Sequence, residues 1–92
     1  ARKIIVDAGY PEFTFALGHQ VGQQAHDGGS VLGPIWPRYG DSVKQPVQAG
    51  NVFTLELGVP TSTGWVGLEE IVMVTETGSH FLSRPQKEIW LL

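Results

Sequence analysis

Asn51-Val52-Phe53-Thr54-Leu55-Glu56-Leu57-Gly58, followed by Gly67-Leu68-Glu69-Glu70-Ile71-Val72-Met73-Val74, is the stretch that decides the fold. Both segments repeat with a period of two, the spacing of a β-strand. Over residues 51–59, Val52, Thr54 and Glu56 share one face, and Phe53, Leu55 and Leu57 share the other. Over residues 69–75, Ile71, Met73 and Thr75 alternate against Val72 and Val74. A turn signal, Thr61-Ser62-Thr63-Gly64, and a short apolar run over 65–68 lie between them. Glu69 and Glu70 must point to opposite faces, so only one of them can share a site with Glu56.

Working outward, residues 1–8 place Ile4, Ile5 and Ala8 at helical spacing. Gly9 then stands where a left-handed cap is usual, and Pro11 prevents continuation. This reads as the last two turns of a helix whose start lies upstream of Ala1. Residues 13–17 form an aromatic, apolar run, read as a strand or an extended connection. Residues 18–29 are rich in Gly, Gln and His without amphipathic period, which suits a functional loop. Residues 30–48 hold Pro34, Pro37 and Pro46 with Gly33 and Gly40, and read as a long irregular connection of the kind that forms lids or binding loops. Thr77-Gly78-Ser79 is a turn, Phe81 and Leu82 begin a last short strand, and the tail over 89–92 is apolar. The expected class is α+β, with mainly antiparallel strands and a truncated N-terminal helix; no βαβ alternation is present.

Composition narrows the chemistry. The 92 residues amount to one domain or part of one, with a small core. Six Lys and Arg against nine Asp and Glu leave no basic face for nucleic acid. No run is long enough to span a membrane, and no basic-then-apolar leader opens the chain. Cysteine is absent, which removes disulfides, thiolate metal sites and cysteine nucleophiles together. That fits a cytoplasmic location. Any metal must bind through His, Asp and Glu, a donor set suited to Mn, Co, Zn or Fe.

Four residues stand out: Glu56 within an apolar strand, Glu69 at the start of another, and His19 and His26 in the glycine-rich loop. Taken singly, each carboxylate also fits a solvated strand position, and each histidine a loop hydrogen-bonder. Taken together, one His and two strand carboxylates are hard-to-borderline ligands for a divalent cation. Two carboxylates could bridge two cations, but three ligands are too few to hold both. Asp7, at a helix end, and Asp27 and Asp41, in loops, are poor candidates to complete the set.

Three motifs in this order resemble one family. Gly18-His19-Gln20-Val21-Gly22 with Ala25-His26-Asp27, the 51–58 strand, and 67–78 are similar to the three sequence signatures of the pita-bread metallopeptidases, the family of methionine aminopeptidase, prolidase, aminopeptidase P and creatinase. The resemblance runs from His19 to Leu82. Glu69 follows Glu56 by thirteen positions, a short interval similar to the Xaa-Pro peptidase branch. The chain departs from the pattern at three places. Leu57 stands where many members have proline, Gly67 where proline-specific members often have arginine, and Phe15 where aminopeptidase P relatives often carry a further histidine.

The resemblance implies a C-terminal half of a pita-bread catalytic domain over 1–92, with the N-terminal half absent. It implies His19, Glu56 and Glu69 as metal ligands, Glu69 bridging two divalent ions. Glu56 would also shuttle a proton for the attacking water, and His26 would contact substrate and help stabilise the tetrahedral intermediate. The implied activity is that of a dinuclear aminopeptidase or dipeptidase of the Xaa-Pro type acting on short peptides. Two aspartate ligands would come from the preceding half, so the isolated chain is expected to be inactive, to bind metal weakly, and to dimerise or self-associate. The alternatives are a non-catalytic pita-bread module that binds peptides or proteins, a metal-independent creatinase-like hydrolase, and a small β-rich interaction domain. Retention of His19, Glu56 and Glu69 disfavours the first.

Overall fold

The computed structural model describes residues 1–10 and 13–89. Pro11, read as a helix stop, and residues 90–92 of the apolar tail lie outside the described part. The N-terminal residues form a short helix, α1 (Arg2–Asp7). Gly9 follows it at φ 98°, the left-handed conformation expected of a cap, with its N–H donating to Val6 O at 3.0 Å. The Arg2 guanidinium donates to the Phe13 carbonyl at 3.1 Å and ties this helix to the start of the next segment.

Four antiparallel strands follow in simple sequence order: β1 (Gln20–Val21), β2 (Val52–Thr61), β3 (Gly64–Val74) and β4 (Ser79–Phe81). This agrees with the expected α+β class built on antiparallel pairs. β2 and β3 form a ten-rung hairpin, from Val52 opposite Met73 to Thr61 opposite Gly64, with Ser62 and Thr63 at the tip. The runs over 65–68 and 69–75, read as separate elements, are therefore one strand. Gly67 does not interrupt it and stays paired, opposite Gly58 on the partner strand. Residues 13–17 do not form a strand. They run extended, and their last residue is stitched to the sheet: Leu17 N–H donates to Leu32 O at 2.7 Å, and Leu17 O accepts from Glu56 N–H at 2.9 Å. The 30–48 connection is irregular apart from two short 3-10 turns, Pro37–Tyr39 and Ser42–Lys44.

The core sits at one end of the hairpin. Phe53 and Val72 are directly opposite each other and almost fully buried. Thr54, on the other face, is only 2% exposed. Towards the tip the hairpin thins to a bare ribbon. Leu55, Leu57, Val66 and Leu68 stay more than a third exposed, and all four lie on the face opposite Glu56. Among the described residues no helix is long and apolar enough to cross a membrane.

Gly18 is where the loop meets the sheet. It is buried, and a β-carbon there would overlap the Thr54 carbonyl. Backbone cannot yield as a flexible side chain can, so a methyl group must push the loop off the strand. In the intact protein, Gly18→Ala should lower stability by about 1–3 kcal/mol, read as a fall in the denaturation midpoint at unchanged m-value.

Candidate metal centre

The register of the hairpin brings the two singled-out carboxylates together. Glu56 on β2 is the direct cross-strand partner of Glu69 on β3, so both point to one face. Glu70 pairs with Leu55 and points to the other. There the Glu70 carboxylate accepts the Gln86 N–H at 2.6 Å, a contact that fastens the segment after β4.

His19 arrives from a different direction and is held at two points by Thr54. Thr54 N–H donates to the His19 carbonyl at 2.9 Å, and the His19 N–H donates to Thr54 Oγ1 at 3.0 Å. Thr54 lies two residues before Glu56, on the same face. One buried residue thus fixes the distance between the histidine and the first carboxylate. The result is a cluster in which His19, Glu56 and Glu69 each present one ligand atom, all within 4.8 Å of one another. His19 Nε2 stands 4.0 Å from Glu56 Oε2. His19 Nδ1 lies 3.2 Å from the Gln20 carbonyl, which can only accept. That contact favours the tautomer with its proton on Nδ1 and leaves the Nε2 lone pair directed at the cluster, the arrangement of a metal-binding imidazole.

The donor set fits a divalent cation. Like charges directly opposite on neighbouring strands destabilise a sheet by up to roughly 1 kcal/mol. Among the described residues no Lys or Arg forms an ion pair with either carboxylate. Two carboxylate oxygens and a neutral imidazole nitrogen are the ligands that Mn, Co, Zn or Fe accept. A cation there would turn a repulsive rung into an attractive one.

His26 is beside the cluster and exposed. Its ring stacks on that of His19, with centroids 4.3 Å apart and planes 25° from parallel. The two histidines, seven positions apart, meet because the loop doubles back. Asp27 holds that loop by accepting the Gln23 N–H at 2.8 Å, so its carboxylate is engaged in the turn. Asp7 is taken up by Lys3, and Asp41 by Lys44. None of the three joins the cluster. His26, His19 and Glu56 line a hollow of about 250 Å³ whose far wall is Tyr39.

Tyr39 was not legible as a site residue. Its hydroxyl accepts the Ala16 N–H at 2.7 Å, which pins the 30–48 connection over the cluster. The only signal was the aromatic Trp36-Pro37-Arg38-Tyr39 inside a stretch otherwise read by its prolines. Arg38 stacks over Trp36 and Tyr39, 4.9 and 5.0 Å from their centroids, and stiffens the same segment.

A second hollow of about 430 Å³ opens on the other side of the carboxylates, bounded by Phe15 and Trp65. The Phe15 and Trp65 rings meet edge to face, with centroids 6.3 Å apart.

If Glu69 belongs to a cation site, neutralising it should have opposite effects on fold and binding. Glu69→Gln should leave the chelator-treated intact protein equally or more stable to heat, since a like-charge rung is relieved. It should weaken Mn²⁺ binding by at least about 100-fold, the upper range for loss of a mere supporting contact around a metal. Differential scanning fluorimetry and calorimetric titration read the two effects.

The chain is similar to known proteins over most of its length. Residues 1–76 match the model of metallopeptidase family M24. The chain is 33% identical over 91 residues to the Xaa-Pro dipeptidase of Pyrococcus furiosus, covering 97% of this chain and 24% of that protein. Its fold is similar to the X-Pro aminopeptidase from Thermotoga maritima, with a TM-score of 0.77, 26% identity, and coverage of 99% of this chain and 24% of that one. It is also similar to a dipeptidase from Pyrococcus horikoshii, with a TM-score of 0.75, 27% identity, and coverage of 96% and 23%. The chain spans about a quarter of the length of these relatives.

Proposed function

The chain belongs to metallopeptidase family M24, and from that premise we propose that it is the C-terminal part of a catalytic domain that removes the N-terminal residue of short peptides. The observation that carries this reading is the Glu56–Glu69 rung with His19 against it, three convergent donors within 4.8 Å. A binding module has no chemical need for two facing carboxylates and an imidazole with a free lone pair. The similarity to an Xaa-Pro dipeptidase and an X-Pro aminopeptidase supports a peptide substrate of that class.

Three donors hold one cation incompletely, so the remaining ligands must come from the preceding half of the domain. Two divalent ions held there would supply Lewis acidity, activating a water and polarising the scissile carbonyl. The residues of this chain do the rest. Glu56, half exposed at the mouth of both hollows, accepts the proton of the attacking water and returns it to the departing amine. Glu69, its cross-strand partner, would hold the ions from the opposite strand. His26, exposed and stacked on His19, reaches substrate rather than cation and donates to the oxygen of the tetrahedral intermediate. Thr54 and Gly18 do no chemistry; they set where His19 stands.

The exposed row Leu55, Leu57, Val66 and Leu68 supports the same partition. An apolar ribbon face of this kind calls for a covering layer. The isolated 92-residue chain is expected to be inactive and to self-associate through it. A strictly monomeric species in light scattering across the micromolar range would contradict the second point.

The reading is tested in the intact protein. Aminopeptidase or dipeptidase activity should require Mn²⁺, Co²⁺, Zn²⁺ or Fe²⁺ and disappear with chelator. Glu56→Ala should abolish activity and reduce bound metal. His26→Ala should lower kcat by roughly 10²–10⁴-fold while metal content is unchanged. Equal metal in wild type and Glu56→Ala would remove Glu56 from the centre.

A further inference from the structure

Asp27-Gly28 is the one place in the sequence where an aspartate or asparagine precedes a glycine. An aspartyl carboxyl can close a succinimide ring with the amide nitrogen of the residue that follows. A following glycine leaves that nitrogen with no side chain beside it. The other candidate positions are hindered. Asp7 ends α1, and the Ala8 N–H after it is bonded to Ile4 O at 3.0 Å. Asp41 precedes Ser42, and its carboxylate is paired with Lys44. Asn51 precedes the β-branched Val52, the first residue of β2.

The structure leaves Asp27 and Gly28 open. Residues 22–29 are all exposed, and residues 27–30 belong to no helix or strand. Gly28 and Gly29 follow each other at φ 82° and 81°, a conformation that only glycine adopts freely. A β-carbon at 28 would meet nothing within 4 Å, so no neighbouring element packs against it. Among the described residues the Gly28 N–H enters no backbone hydrogen bond, which leaves its nitrogen free to give up the proton. The carboxyl, by contrast, is held close to its own loop. Asp27 Oδ2 accepts the Gln23 N–H at 2.8 Å and lies so near Gly22 that a β-carbon there would overlap it. That carboxylate closes the turn on which His26 rides, and the His26 ring lies on His19 with centroids 4.3 Å apart.

We propose that Asp27 is a site of spontaneous isomerisation to isoaspartate, and that the conversion releases His26 from its place beside the cluster. The Gly28 nitrogen attacks Asp27 Cγ and forms a new C–N bond. The nitrogen gives up its proton and the carboxyl its hydroxyl, so water leaves and a succinimide remains. Water then adds back to either imide carbonyl. Breaking the new Cγ–N bond restores aspartate. Breaking the original peptide C–N bond leaves the chain running through the former side chain, as isoaspartate. Mass is unchanged, and no oxidant or reductant takes part. The product carries an extra methylene in the main chain, and its free carboxylate sits directly on Cα. The lengthened loop and shortened carboxylate arm no longer match the Gln23 N–H, so the turn opens and His26 leaves the His19 ring. His19 itself stays, because its two bonds to Thr54 do not involve the turn. The isomerisation goes beyond the peptidase reading and does not depend on it; only its effect on turnover does.

The test ages the intact, Mn²⁺-loaded protein at physiological pH and temperature. Isoaspartate is located by peptide mapping with electron-transfer fragmentation and quantified by enzymatic methylation. It should accumulate at position 27 and stay at background at positions 7, 41 and 51. Asp27→Glu, which would need the larger glutarimide ring, should not convert. Asp27→Asn closes the same ring with ammonia as the leaving group and should convert faster than the parent. Peptidase activity should fall in proportion to the isomerised fraction, each converted molecule losing at least about 100-fold in kcat, the lower end for loss of a proton-transferring group. Bound Mn²⁺ should not change, and Asp27→Glu should keep its starting activity over the same period. Absence of isoaspartate at 27, or equal amounts at 41 and 51, overturns the site. Isoaspartate at 27 with undiminished activity overturns the release of His26. In a protein that hydrolyses no peptide, the peptidase reading fails separately, and displacement of the His26 ring resonance in step with conversion supports the release.

Discussion

Everything about the site depends on one register, Glu56 opposite Glu69. Alone, it is an unfavourable contact, two negative charges facing each other across a sheet. The surrounding structure enforces it. Ten consecutive rungs from Val52–Met73 to Thr61–Gly64 share that alignment, and the buried Phe53–Val72 pair anchors it at one end. A slip of one residue would carry Phe53 out of the core and Glu56 to the far face together. Hydrophobic burial therefore overrides a local electrostatic penalty of at most about 1 kcal/mol. A cation bound between the two carboxylates would remove the penalty.

The histidine is placed by a different kind of interaction. His19 sits in a loop with only a two-residue strand behind it, so periodic pairing cannot fix it. Its two bonds to Thr54, and the bond from Glu56 N–H to Leu17, take over that role. Those bonds require backbone to lie against backbone, which only the glycine at 18 permits. The cluster therefore joins a rigid hairpin to a loop through one buried hydroxyl. Stability and site geometry meet at Thr54, a residue that touches neither metal nor substrate in the proposed reaction.

The hairpin was legible because alternation over 51–59 and 69–75 is strong, and the Glu69/Glu70 choice followed from strand geometry alone. The short helix was legible from Ile4, Ile5, Ala8 and Gly9. Two features escaped. The run over 65–68 was not joined to β3, because glycine at 67 weakens a strand signal unless its partner rung, Gly58, is known. Tyr39 escaped because its role is a single long-range hydrogen bond to Ala16 N–H, and no local pattern encodes a contact between positions so far apart. His19 and His26 stood out by residue type, but their ring stacking depends on the Asp27 turn, which is tertiary detail. What local periodicity encodes was readable; what one distant partner decides was not.

The two-residue tip at Ser62 and Thr63 has a bearing on how this protein can vary in length. Between Glu56 and Glu69 lie five paired positions on each strand and the tip. The carboxylates face each other because the two arms between them and the tip are equal in length. Residues added at the tip leave every rung intact. A single residue added within either arm turns one carboxylate away unless a bulge absorbs it. Insertions and deletions should therefore gather at the hairpin tip, and unequal changes in the two arms should be absent wherever the carboxylate pair is kept.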